Sequence, residues 1–305
     1  MVTDPAGPRE RVVVGYDGSA ASVAAVEWAA EQASARGLLL EVRHVVEPRS
    51  TLRSEPLDVV AVTDDSQEVA DRGAQEGASI AARTTDGPVT AVGRVGHPVA
   101  GLVEGSESAA LLVVGSHGHG DLASVLIGSV AYASTVHARC PVAVVRGAPP
   151  RRPGIGRPVM VGVDGSRSSL AALLEGAAVA EQSGAELVVV CVWRPAAPGR
   201  WSASWDAMSP AERASHEHRI AAEAVVHDAV ERVHHIRPQL QVSTRVLEGA
   251  PARVLAEISP AAGVLVVGSR GRGGFTGLLL GSVTRRLLHD STCPVIVVRR
   301  VPEQT

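Results

Sequence analysis

The 305-residue sequence predicts an α/β protein of two tandem domains, each a parallel β-sheet covered on both faces by helices. Three observations carry that prediction. Short valine-rich runs alternate with alanine-rich helical stretches, the pattern of βαβ units around a buried parallel sheet. The order of these segments restarts after residue 157, so the second half repeats the first. One stretch then recurs in detail: Gly115-Ser116-His117-Gly118, nine residues and Gly128-Ser129 in the first half, and Gly268-Ser269-Arg270-Gly271, nine residues and Gly281-Ser282 in the second.

The elements follow in chain order. Residues 1–10 are polar, with Pro5 and Pro8, and read as a loose tail. Arg11 to Tyr16 is a strand, Asp17-Gly18-Ser19 a turn, and Ala20 to Arg36 a helix with Ser19 or Ser22 as N-cap and Gly37 as its stop. Leu38 to Val46 is the second strand. Glu47 to Asp65 has prolines, charges and little periodicity, so it reads as a surface loop. Ser66 to Thr84 is a helix, Val89 to Val95 a strand, and Pro98 to Gly105 a short helix with proline in its first turn. Leu111 to Val114 precedes the glycine motif, Val130 to His137 is the helix after it, and Val142 to Arg146 is the fifth strand.

Proline- and glycine-rich residues 147–157 form a linker, giving domains at 1–148 and 158–305 joined by 149–157. The second copy then runs strand Val159 to Val163, turn Asp164-Gly165-Ser166, helix Ser168 to Ser183 and strand Glu186 to Trp193. The turn aspartates are 147 residues apart and the motif glycines 153, so the second copy has gained six residues, placed in a loop from Arg194 to Met208. Ser209-Pro210-Ala211-Glu212 is a capping box that starts a long helix to about Ile236. Gln241 to Leu247, Pro251 to Ile258, Val264 to Val267, Val283 to His289 and Val295 to Arg299 complete the repeat.

Composition narrows the chemistry. Apolar residues make up 45% and charged residues 20%, which describes a globular chain, and a net charge of -3 without a basic stripe argues against nucleic acid. The chain has no lysine, which closes a Walker A loop and lysine covalent chemistry. Cys140, Cys191 and Cys293 are too few and too scattered for a zinc motif or disulfide scaffold and read as small buried hydrophobes. No run approaches the length of a membrane span and no signal-like core opens the chain, so the cytoplasm is expected. His117 and His119 lack further ligands at metal spacing, and the histidines near the long helix, His216 to His235, read as a solvated face. Trp28, Trp193, Trp201 and Trp205 read as core or as cover at a cleft edge.

A buried strand that feeds a glycine loop and then a helix start exposes backbone N–H groups and the positive end of a helix dipole. Glycines let that backbone approach phosphate oxygens, so the spacing should cradle a nucleotide. The hydroxyls of Ser129 and Ser282 add a donor, or else serve as plain N-caps. A carboxylate accepts hydrogen bonds and repels phosphate, which puts Asp17 and Asp164 at the base or ribose end, unless they only shape their turns.

An early Val14-Gly15-Tyr16-Asp17-Gly18-Ser19, the Gly-x2-Gly-x9-Gly-Ser motif, and Cys140-Pro141-Val142-x-Val144-Val145-Arg146, which recur in the same order in the second half with Val163 in place of the tyrosine, resemble the ATP-binding branch of the universal stress protein family. The resemblance covers nearly the whole chain. It implies two doubly wound five-stranded sheets of the flavodoxin or adenine-nucleotide-hydrolase type, with strand order 3-2-1-4-5. It implies two sites for ATP, with or without magnesium, one formed by Gly15, Asp17, Val45, Gly115, Gly118, Gly128, Ser129 and Val130. The other is formed by Gly162, Asp164, Val192, Gly268, Gly271, Gly281, Ser282 and Val283.

By the same resemblance, the aspartate and Val45 or Val192 meet adenine and ribose, and the glycine loop with its Gly-Ser meets the phosphates. It implies further that the tandem domains form an internal pseudo-dimer and that the valine-rich last strands pair across domains or between two chains in a homodimer. The expected output is regulatory, through an unknown protein partner. The alternative is an ATPase or nucleotidyl-transfer enzyme in the same crevice, against which stand the lack of a nucleophile beside a base and of an acidic cluster after the fourth strand. The loop holds His117 and His119 in the first copy and Arg270 and Arg272 in the second, so either these side chains simply project into solvent or only the first site binds more tightly in mild acid than at pH 8.

Overall fold

A computed structural model describes residues 10–48, 64–118, 127–147, 149–196, 208–273 and 279–299. The chain divides into two compact units, Met1–Pro150 and Arg151–Thr305. In the first unit the elements are β1 (Arg11–Gly15), α1 (Ala20–Arg36), β2 (Leu39–Val46), α2 (Asp64–Ala81), β3 (Val89–Val95), α3 (Pro98–Ser106), β4 (Ala109–Gly115), α4 (Ser129–His137) and β5 (Val142–Val145). The second unit repeats them as β6 (Val159–Gly162), α5 (Arg167–Ser183), β7 (Leu187–Trp193), α6 (Pro210–Ile236), β8 (Val242–Glu248), α7 (Pro251–Ile258), β9 (Val264–Gly268), α8 (Ser282–Asp290) and β10 (Val295–Val298), with a 3-10 turn at Ser259–Ala261.

Both units have the expected order, β3-β2-β1-β4-β5 in the first and β8-β7-β6-β9-β10 in the second. Every strand pair inside a unit is parallel. The central strands are apolar on both faces because helices cover both: Val12, Val13 and Val14 are sealed from solvent, as are Val159, Met160 and Val161. The outer strands β3 and β8 keep exposed positions, which suits a strand with one free side. The register places Gly15 beside Arg43 and, identically in the repeat, Gly162 beside Val190.

Local chemistry fixes the helix ends. Ser19, not Ser22, caps α1 by accepting from the Ser22 amide at 3.2 Å, and Ser166 does the same for α5. Gly37 and Gly184 close these helices in the left-handed conformation, each donating back to the last carbonyls. The box at α6 is complete: the Glu212 amide donates to Ser209 Oγ at 3.3 Å and the Ser209 amide to Glu212 Oε2 at 2.7 Å.

Boundaries shifted by a residue or two where the pattern frays. The helix expected at Ser66 begins at Asp64, and α4 and α8 begin at Ser129 and Ser282, one residue earlier than read. Their N-caps are Gly128 and Gly281, and neither is satisfied by a side chain, so Ser129 and Ser282 are not caps. The start of the second unit is tied down: Gly154 and Arg157 exchange two backbone hydrogen bonds of 3.0 Å, and Arg151 donates to the Pro260 carbonyl. Most of the loop expected at Glu47 to Asp65, and Trp201 and Trp205, lie outside the described residues.

Trp28 and Trp193 are buried core. The three cysteines are buried thiols, and burial pushes Cys191 up to about 11 and Cys293 to about 12. On α6, His218, His227, His234 and His235 face solvent. Among the described residues no group of three or more His, Cys, Asp or Glu could hold a metal, and no helix is long and apolar enough to cross a membrane.

Candidate functional site

The two loops that matter lie at the carboxyl ends of neighbouring strands, where the winding direction of a doubly wound sheet changes. After β6 the chain turns through Gly165, whose φ of 76° a side-chain-bearing residue rarely adopts, as Gly18 does in the first unit with φ 85°. That turn aims the preceding aspartate back at the glycine loop after the fourth strand of its unit. Asp164 Oδ1 accepts the Ser166 amide at 3.0 Å, and Oδ2 accepts the Arg272 amide at 2.9 Å. The first unit repeats the inner half of this clasp, with Asp17 Oδ1 accepting the Ser19 amide at 3.0 Å.

Burial alone would raise the Asp164 carboxyl. Hydrogen bonds from Ser166, from the Arg272 amide and from Ser169 outweigh it and hold the group below the ordinary aspartate range. The group is therefore a carboxylate at neutral pH, with each oxygen engaged.

The motif glycines divide into two physical roles. A Cβ on Gly118 would lie 2.6 Å from Asp17 Oδ2, and one on Gly271 would lie 2.4 Å from Asp164 Oδ2, so these positions are glycine because the carboxylate fills that space. Gly115 and Gly268 are glycine because the first turns of α1 and α5 rest on them, 2.7 Å from the carbonyl carbons of Ala21 and Ser168 to an added Cβ. The third glycine closes the loop on itself: the Gly128 amide donates to the Ser116 carbonyl and the Gly281 amide to the Ser269 carbonyl, both at 2.8 Å. Those two amides are thus spent inside the protein. The donors left facing outward by helix geometry are the first amides of α4 and α8, beginning at Ser129 and Ser282.

In the second unit these parts surround a cleft of about 490 Å³, a size typical of small-molecule sites. All eight residues that the sequence singled out in this copy line it. Part of the lining is apolar, contributed by Val190 and Val192 of β7, Pro251 and Leu255 of α7, and Leu280 just before α8. The lining also carries two exposed arginines: the Arg270 backbone packs against Gly281 at the start of α8, and the Arg272 guanidinium lies over Gly165 in the turn after β6. Thr284 is oriented by donating to the Gly268 carbonyl at 2.8 Å.

Sequence reasoning missed the apolar wall contributed by Val190, Pro251, Leu255 and Leu280. The available signal was Gly249-Ala250-Pro251 after β8, matched by Gly96-His97-Pro98 after β3.

The first unit brings its residues to the same strand ends. Gly15 lies under Leu102, as Gly162 lies under Leu255, at 3.1 and 3.2 Å to an added Cβ. Val45 packs on Gly101 of α3, Gly118 on Asp17 and Gly128 on His117, while Ser129 and Val130 open α4. Ser116 Oγ and His117 Nδ1 share a hydrogen bond of 2.8 Å, and His119 lies outside the described residues. Tyr16 stands where the second unit has Val163. Its phenol is pushed up to about 12 by burial, by a hydrogen bond with Glu76 and by the charges of Glu76 and Asp17.

The model of the universal stress protein family matches the chain twice, over residues 8–146 and 156–299. A universal stress protein of Mycolicibacterium smegmatis is 33% identical over 298 residues, covering 94% of this chain and 96% of that protein. One from Mycobacterium tuberculosis is 35% identical over 311 residues, covering 96% and 99%. Among solved structures, a universal stress protein from Archaeoglobus fulgidus superposes with a TM-score of 0.69 at 20% identity over 96% of this chain and 99% of that one. That structure shares the fold. With two family matches across nearly its whole length, the chain belongs to the universal stress protein family.

Proposed function

We propose that this protein is a regulatory ATP-binding module, with a nucleotide crevice in each unit, whose output is a change in conformation or in partner binding. The observation that carries the reading is the mixed lining of the second unit's cleft, apolar at Val190, Val192 and Leu255 and with Arg270 beside the start of α8. A purine is a flat, largely apolar body and a triphosphate a polyanion, so a cleft with apolar walls and a helix N-terminus suits one ligand that carries both. Asp164 fits the ribose between them, because an ionised carboxylate accepts hydroxyl hydrogen bonds and keeps phosphates away. The residues present therefore fit the group. Val190, Val192 and Leu255 would hold the base and the amides of α8 the phosphates.

Hydrolysis by an efficient catalyst is the alternative reading, and it needs an activated water. Among its described lining residues the cleft offers one carboxylate, Asp164, with both oxygens already accepting backbone hydrogen bonds, which is poor general-base chemistry. The reading extends to a cytoplasmic homodimer, for which light scattering of the purified chain is the direct check.

ATP at about 100-fold over its dissociation constant should stabilise a binding unit by about 2.7 kcal/mol. Gly118→Glu together with Gly271→Glu should remove the shift, because the new side chains fill the space of the Asp17 and Asp164 carboxylates. Running the melt with magnesium and with EDTA reveals whether the metal contributes. Turnover of ATP at many cycles per second in the same sample would replace the regulatory reading with the enzymatic one.

A further inference from the structure

We propose that the two units are unequal nucleotide sites: the second holds the purine, and in the first Arg43 and a close-packed α3 narrow the base end so that it binds at least ten-fold more weakly. The proposal rests on the nucleotide reading above and adds which unit carries it.

The strand registers make the comparison residue by residue. Arg43 lies beside Gly15 and Val190 beside Gly162, so Arg43 occupies the place of an apolar wall residue of the second cleft. Arg43 is 5% exposed, and its guanidinium is committed to the protein: Nε donates to Glu41, and Nη1 donates to the Gly101 carbonyl of α3 at 2.7 Å. Glu104 of α3 adds a second carboxylate at 4.0 Å. Glu41 is 3% exposed and is also paired with Arg11 at 2.8 Å. An ionic network with Glu41 and Arg43 buried at its centre therefore runs from the part-exposed Arg11 of β1 through β2 to the exposed Glu104 of α3. The second unit has Pro158, Val188 and Val190 at the matching positions.

The helix above follows suit. A Cβ on Gly101 would fall 2.9 Å from Val45 Cγ2, and one on Gly105 would fall 2.8 Å from Arg43 Nε, so α3 sits directly on the strand. In α7 the corresponding residues are Val254 and Ile258 in place of the two glycines, and Val192, the counterpart of Val45, lines the cleft. Seating a base in the first unit thus means displacing α3 or unpairing a buried guanidinium, and leaving such a charge without its partners is costly. The phosphate ends differ in the same direction, since Arg270 stands where the first unit has His117.

Calorimetric titration of ATP into the full chain separates the possibilities. The wild type is expected to show one tight event per chain, retained by Gly118→Glu and weakened at least ten-fold by Gly271→Glu. Two equal sites, or equal losses in the two variants, overturn the inequality while leaving the nucleotide reading intact. No binding by the wild type removes both. In the Gly271→Glu background, replacing Glu41 and Arg43 together by valine, the second unit's residues, should raise the remaining affinity at least ten-fold. A well-folded variant with no gain contradicts the role given to Arg43. Should that variant not fold, the two glycine variants still decide the question.

Discussion

Replacing Asp164 by alanine tests the clasp that shapes the second crevice. The substitution leaves the amides of Ser166 and Arg272, now bonded at 3.0 and 2.9 Å, without their acceptor. Hydrogen bonds to charged groups contribute about 1.5–3 kcal/mol each, and two would suggest roughly 3–6. The carboxylate is only half-buried and water can replace part of the loss, so a total of about 2 kcal/mol is the reasonable magnitude. For a unit of this length that lowers Tm by roughly 4–8 °C.

The pH dependence identifies the cause. The carboxyl is held below its unfolded value, so its stabilisation is complete above that value, about 3.9, and is lost as pH falls through the folded one. Melting curves from pH 7 to pH 2.5 should therefore show the wild type and Asp164→Ala converging at the acid end. A difference that persists unchanged at pH 2.5 would attribute the loss to packing, and no difference at pH 7 would refute the clasp altogether.

Three more outcomes follow from particular contacts. Gly268→Ala places a methyl 2.7 Å from the Ser168 carbonyl carbon, so it should cost about 1–3 kcal/mol in denaturant midpoint with ATP affinity falling only secondarily. Ser209→Ala removes the acceptor of the α6 capping box and should cost about 1 kcal/mol, seen as faster amide exchange in the first turn of that helix. Arg270→Ala should weaken ATP more than adenosine and flatten the salt dependence of ATP binding, because Arg270 lies at the start of α8, where the phosphates are expected.

The strands and helices were legible because two periodicities dominate: apolar runs such as Val12 to Val14 and Val264 to Val267, and long helical stretches ended by Gly37 and Gly184. The glycine motif also revealed where the crevice lies, since a loop that must pack against a carboxylate and a helix turn admits nothing larger at Gly118 or Gly115. What the motif could not reveal is which physical demand each glycine answers. Gly128 and Gly281 belong to the Gly-Ser expected to meet the phosphates, and their own amides are engaged by the Ser116 and Ser269 carbonyls.

The apolar wall escaped notice because Val190, Leu255 and Leu280 are ordinary hydrophobes on separate elements, brought together only by the register of β6 and β7 and the position of α7. The Glu41 and Arg43 pair was visible as two charges inside a valine-rich strand. Its meaning needed Gly101 and Gly105, which lie on a helix some sixty residues away in sequence.

The most direct measurement is a crystal structure of the full chain grown with ATP. The account predicts adenine between Val190, Val192 and Leu255, the ribose beside Asp164, and the phosphates at the first amides of α8. A vacant second crevice at saturating nucleotide, or a nucleotide seated with its base at Arg270 and its phosphates on the apolar wall, would contradict it.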